Sequence, residues 1–172
     1  MNLEPGDFLL VRTNHWASRL IRMGQRRRFT KGQSEWNHVA VYIGNGEIVE
    51  ALTTGVVRTY ASKYPAADVL PIKAPTFHFK NADSDLAMRA NARDFALSCV
   101  GNEYGWLSIL AIGINLLTGG GLVMGQSGST ICSGLEARCL ERMGYNFNPW
   151  DPAEIMPADL AKRFRVALFL NA

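Results

Sequence analysis

An α+β fold is what the sequence predicts, on three observations. Residues 39–43 and 47–51 are rich in β-branched side chains and flank Gly44-Asn45-Gly46, the signature of an antiparallel hairpin. Residues 84–100 run without glycine or proline up to Gly101, and residues 131–143 stop at Gly144, both patterns of helices closed by glycine. Apolar side chains make up 48% of the 172 residues and charged ones 19%, enough for one sizeable core and too apolar for a disordered chain. A single domain over residues 1–172 is therefore expected, without internal repeats or low-complexity tracts.

Along the chain, the Pro5-Gly6-Asp7 turn signal leads into a short buried strand at residues 8–11. Arg19, Arg22, Arg26, Arg27, Arg28 and Lys31 follow, with no acid between Arg12 and Glu35, over a helix end plus a loop. Such a run is a solvated face or, more sharply, a patch for peripheral contact with phospholipid head groups or an acidic polymer. The hairpin comes next, then weaker strand signals at residues 56–60 and 68–72. Between the two helices, the stretch from Tyr104 to Leu135 has no formally charged residue. Its apolar run is shorter than the roughly 20 residues of a spanning helix, so a buried helix with a glycine loop is expected, or else an interfacial lid. Ser129 or Thr130 is placed to cap the second helix, and Ile131, Leu135 and Cys139 recur every four residues as one apolar face. Pro149, Pro152 and Pro157 mark an irregular crossing segment, and residues 165–170 a closing strand.

Several function classes are disfavoured. The balance of 18 Lys and Arg against 15 Asp and Glu, net +3, is too weak to imply nucleic acid, and the arginine cluster lacks interleaved aromatics. No histidine pair and no paired cysteines have metal-ligand spacing, and no cofactor is implied. Three cysteines do not build a disulfide framework. Residues 1–7 carry no basic stretch leading into an apolar one, so no secretory signal is expected. The expected address is cytoplasmic, unless export runs by another route, as for a phage lysis component or a secreted effector.

Among the cysteines, Cys99 falls near a helix end and Cys139 lies mid-helix, both as small core residues. Cys132 differs, because it sits in the first turn of its helix. Unpaired amide donors and the positive end of the helix dipole there favour thiolate over thiol, which suits a nucleophile. A catalytic thiol needs a base, and the histidines are His15, His38 and His78. His38 stands at the start of the hairpin, and Glu50 at the far end of its partner strand. With Gly44-Asn45-Gly46 as a three-residue loop, Ala40 faces Glu50 and His38 lies diagonally beside it, roughly 7–8 Å away on the same face. With a two-residue Asn45-Gly46 turn, the register slips by one and the two side chains part.

Asn37-His38-Val39-Ala40-Val41-Tyr42-Ile43-Gly44, then Ile48-Val49-Glu50-Ala51, then Ile131-Cys132-Ser133-Gly134-Leu135 together resemble the permuted branch of the NlpC superfamily. Those papain-like thiol hydrolases include cell-wall peptidases, bacterial fatty-amide-hydrolase-like proteins and lecithin:retinol acyltransferase relatives. Papain-like enzymes run cysteine, histidine, polar residue; the order His38, Glu50, Cys132 is that order circularly permuted. The resemblance implies a papain-like, circularly permuted fold, its antiparallel sheet packed against the helix carrying the nucleophilic cysteine. It implies Cys132 as nucleophile, His38 as general base and acid, and Glu50 as the residue orienting the imidazole. The Cys132 backbone amide is a candidate oxyanion donor, and Tyr104 and Trp36 are candidate substrate-binding residues. The activity implied is cleavage of an amide bond through an acyl-enzyme, with a peptidoglycan peptide as leading substrate and a lipid amide or ester close behind. A thiol acyltransferase and a non-catalytic binding module of the same fold are the alternatives. The charge-free insertion at residues 106–128 departs from the branch and suits a lid or an acyl-chain groove.

Overall fold

The structure, a computed structural model, describes residues 2–74, 82–103 and 132–164. Its strands are β1 (Phe8–Val11), β2 (His38–Gly44), β3 (Glu47–Leu52), β4 (Gly55–Tyr60) and β5 (Val69–Ile72). Its helices are α1 (Trp16–Gln25), α2 (Lys31–Ser34), α3 (Ala82–Ser98), α4 (Cys132–Arg142) and α5 (Pro157–Arg163). The strands form one five-stranded antiparallel sheet in the order β4-β3-β2-β1-β5. The expected α+β class is therefore observed.

Alternation along the strands sorts the side chains into two buried layers. Phe8, Leu10, Val39, Val41, Ile43, Val49 and Ala51 face a core that also takes up Ala92, Ala96, Leu135, Cys139, Leu140 and Leu160 from α3, α4 and α5. Leu9, Val11, Ala40 and Ile48 face the other way, under Ala61 and Tyr64 from the chain between β4 and β5 and Val69 at the start of β5. All four residues of β1 are buried because both layers meet across it, which explains an apolar run without alternation.

The hairpin tip combines the two anticipated turns. Asn45 (φ 54°) and Gly46 (φ 77°) form a two-residue turn, with Gly44 paired to Glu47. The register then shifts between Gly44 and Tyr42, where Ile43 is the extra residue of a β-bulge. Below the bulge Tyr42 pairs with Ile48 and Val41 with Val49, the register of the three-residue loop. His38 and Glu50 consequently share a face.

The strands expected at residues 56–60 and 68–72 appear as β4 and β5, and the helix expected at 84–100 as α3, two residues earlier at each end. The helix expected at 131–143 is α4. The cationic segment is more helical than a helix end, since α1 runs to Gln25 and α2 opens at Lys31. One expectation is corrected. The crossing segment around Pro157 is not irregular throughout, because Pro157 opens α5, and Asp159 accepts the Met156 N–H at 3.0 Å as its cap. Proline at the first helical position costs no hydrogen bond, so a residue taken as a breaker acts as a start signal. The closing strand at residues 165–170, the stretch at 106–128 and the caps Ser129 and Thr130 lie outside the described residues.

Helix α4 is buried almost all round, and it carries a charged residue type into the core. Glu136 is fully buried, and neither carboxyl oxygen has a hydrogen-bond partner among the described residues. Burial, reinforced by the charge of Asp7, holds its pKa well above the ordinary carboxylate range, so the group is a neutral acid. A carboxyl raised in the folded state supports folding below its unfolded pKa, and that support fades as pH rises toward the folded value. Glu136→Leu is expected to raise stability at alkaline pH by about 1–3 kcal/mol, the cost of a buried unsatisfied polar group. Urea denaturation at acid and alkaline pH checks this, the gain being smaller on the acid side.

Candidate active site

His38 is the first residue of β2 and Cys132 the first of α4. Strand alternation directs His38 to the face of Ala40 and Ile48, whereas Cys132 belongs to the layer on the other face. They meet because each begins its element at the same end of the sheet, where α4 packs on β2. There the His38 imidazole and the backbone N–H groups of Val39 and Ser133 lie close enough to the Cys132 sulfur to favour its thiolate. A strand start and a helix start thus supply the donors around one sulfur.

On the other side of the ring, His38 Nε2 lies 2.8 Å from Glu50 Oε2. Glu50 is fully buried and accepts two more bonds, from Tyr64 Oη to Oε2 and from Lys63 Nζ to Oε1, both at 2.5 Å. Its oxygens are acceptors only, so the imidazole presents N–H at Nε2 and leaves Nδ1 for the sulfur. The ring of Tyr64 sits 6.2 Å from that of His38, centroid to centroid, and walls this side of the site.

The charges reinforce one another. Burial works against charge on His38, but the Cys132 thiolate and the Glu50 carboxylate outweigh it and hold the imidazole up to about 9. Burial likewise raises Cys132, yet the His38 imidazolium and the bonds from Val39 and Ser133 bring the thiol below its ordinary value. Glu50 resists burial through His38, Lys63 and Tyr64, and falls to about 2. Tyr64 is raised by burial and by its bond to Glu50, so its hydroxyl stays a donor. The shifts favour an ion pair of Cys132 thiolate and His38 imidazolium beside the Glu50 carboxylate, the form in which a sulfur is nucleophilic. Cys99 and Cys139 differ, since burial raises both and the two remain thiols.

The structure thus brings together Cys132, His38 and Glu50. Trp36 is buried in the core layer that holds Cys132, and its Nε1–H has no acceptor among the described residues. Tyr104 and His78 lie outside the described residues, and His15 is exposed ahead of α1. Lys63 and Tyr64 were missed from the sequence. They follow β4 on a single 3₁₀ turn, Ala61–Lys63, and reach Glu50 only because that turn folds under the sheet. No periodic or motif signal marks them. Among the described residues no group of His, Cys, Asp and Glu is arranged to hold a metal ion, and no helix is long and apolar enough to cross a membrane. No protein-family model matches the chain, and no curated protein does either.

Proposed function

We propose that this chain is a cysteine-dependent hydrolase of the papain-like class, cleaving an amide bond through an acyl-enzyme. Within that class its motifs fit the permuted branch of the NlpC superfamily, with a peptidoglycan peptide as leading substrate and a lipid amide or ester next. One observation carries the reading: Cys132, at a helix N-terminus, faces an imidazole whose other nitrogen is held by a buried carboxylate.

In the proposed reaction the Cys132 thiolate adds to the amide carbonyl, and the charge that develops on oxygen faces amides at the α4 N-terminus, that of Cys132 first. His38 gives its Nδ1 proton to the leaving nitrogen as the C–N bond breaks, leaving a thioester on Cys132 and a neutral imidazole. His38 then takes a proton from water as the water adds to the thioester. The acid product departs and the thiolate–imidazolium pair is restored. Glu50 keeps the ring in the required tautomer and stabilises its charge, and Lys63 and Tyr64 keep Glu50 ionised and fixed.

The test uses muropeptides and fatty acyl amides as a substrate panel, with iodoacetamide as the thiol probe. The wild type should alkylate selectively at Cys132 near neutral pH and release an amine from one panel member, with an intermediate that hydroxylamine intercepts as a hydroxamate. Cys132→Ala should do none of these. A folded wild type whose Cys132 reacts no faster than Cys99 and Cys139 would overturn the reading.

A further inference from the structure

Residues 13–34 contain no acid, and Arg19, Arg22, Arg26, Arg27, Arg28 and Lys31 concentrate positive charge in a chain whose net charge is only +3. The structure gives this charge a direction. Among the described side chains of α1, Ser18, Gly24 and Gln25 are buried, whereas Arg19, Met23 and, at the C-cap, Arg26 are exposed at i, i+4 and i+7, one helical stripe. Arg27, Arg28 and Lys31 continue the exposed basic surface beyond the end of α1. Arg19, Arg26 and Lys31 have no ion-pair partner among the described residues. Arg22 donates to Asn14, a neutral partner. Asp159 on α5 is the acid that Arg28 approaches, and Lys162 offsets it.

The stripe is rigidly mounted. Gln25 is fully buried, donating to Ser34 O at 3.2 Å and Trp36 O at 2.9 Å and accepting the Ala158 N–H at 3.0 Å. The excursion that carries α1 and α2 leaves the sheet at Val11 and returns at His38, two residues paired with each other. The Asn37 side chain closes its neck, accepting the Thr13 N–H at 3.1 Å and donating to Thr13 O at 3.0 Å. The basic surface therefore rises from the end of the sheet where Cys132 and His38 meet.

We propose that the outward face of α1 and the turn after it docks on an anionic lipid bilayer. Two features select a bilayer over a soluble polyanion. Met23 is a large apolar side chain, 51% exposed at the centre of the basic stripe, and it gains by entering the head-group region but not by resting on a polymer. Among the described side chains of the stripe, none is an exposed aromatic that would stack on a nucleic-acid base. Each cation near an anionic surface strengthens binding about fivefold, so the unpaired ones together give reversible, salt-sensitive attachment. The inference goes beyond the hydrolase reading and does not need it, since the stripe is independent of the thiol.

The test is co-sedimentation of the full chain with phosphatidylcholine vesicles, with and without phosphatidylglycerol, at low and high salt. Binding is expected only with phosphatidylglycerol and should weaken as salt rises. Arg19→Glu/Arg26→Glu should lower affinity by at least about 25-fold, two cations at about fivefold each. Met23→Ser should weaken vesicle binding several-fold while leaving retention on heparin unchanged. Cys132→Ala should bind vesicles like the wild type, and an unchanged thermal melt keeps each variant interpretable. Equal binding to vesicles with and without phosphatidylglycerol, or none to either, overturns the proposal. So does tight heparin binding with vesicle affinity indifferent to Met23→Ser, an outcome that assigns the stripe to an acidic polymer.

Discussion

His38→Ala is expected to slow alkylation of Cys132 near pH 6.5 by up to about a hundredfold, the limit set by the small thiolate fraction of an ordinary thiol at that pH. The wild-type thiolate is held by the imidazolium against the cost of burial. Without that cation, burial is no longer outweighed and the thiol returns to the ordinary value of about 8.5 or above, where on the order of 1% is thiolate at pH 6.5. Turnover of any substrate found should fall further, because the proton donor for the leaving group is lost with the base, a contribution of about 10²–10⁴. Mass-spectrometric alkylation rates across pH measure the first effect and product release the second. A pH profile unchanged in the variant would sink the assignment. In the wild type, rate should rise with pH as Cys132 ionises and turnover should fall again as His38 deprotonates near 9. Stability shares the logic with opposite limbs. The support that His38 gives the fold is complete below about pH 6.5 and is lost as pH rises through about 9. The support from Glu50 is complete above about pH 4.5 and is lost as pH falls toward about 2.

Those limbs rest on residues with unequal visibility in the sequence. His38 and Glu50 were legible because hairpin pairing is local: a turn and strict alternation decide which side chains share a face. The turn itself was ambiguous. A two-residue tip alone would have separated the pair, and the Ile43 bulge that restores them has no sequence signature. Cys132 was legible through position, since a helix start is written in turn residues and a glycine stop. Lys63 and Tyr64 were not, because their contact with Glu50 depends on how a loop packs under the sheet, a tertiary choice. The meeting of His38 with Cys132 is of the same kind. Alternation assigns them to opposite layers, and only the alignment of a strand start with a helix start brings them together.

The other tertiary feature hidden in the sequence is the clamp between Asp7 and Arg89, and breaking it should produce the largest loss of stability. Arg89 on α3 is 5% exposed and Asp7, ahead of β1, is 1% exposed. Nη1 of Arg89 donates to Asp7 Oδ1 and to Pro5 O, each at 3.0 Å, and Nη2 to Ala74 O at 3.4 Å. Asp7 also accepts the Ala74 N–H at 3.0 Å and the Glu4 N–H at 2.8 Å. One ion pair therefore fastens the turn before β1, the segment just past β5 and α3. Removing the guanidinium leaves a buried carboxylate without its cation, so Arg89→Met should cost about 3–5 kcal/mol, a large part of the roughly 5–15 kcal/mol that holds a domain together. Urea denaturation near neutral pH reads the loss directly. Asp7→Asn/Arg89→Met should recover part of it, because the double variant buries no lone charge, and the cycle separates the pair from packing lost with the arginine stem. Glu136 sharpens the contrast, since it already feels the charge of Asp7 with Arg89 in place. With Arg89 gone the charge of Asp7 is no longer offset and ionising Glu136 costs more, so at alkaline pH Glu136→Leu should stabilise the Arg89→Met protein more than the wild type. Equal gains in the two backgrounds would mean that Asp7 and Glu136 do not share a field, and that the clamp acts through geometry alone.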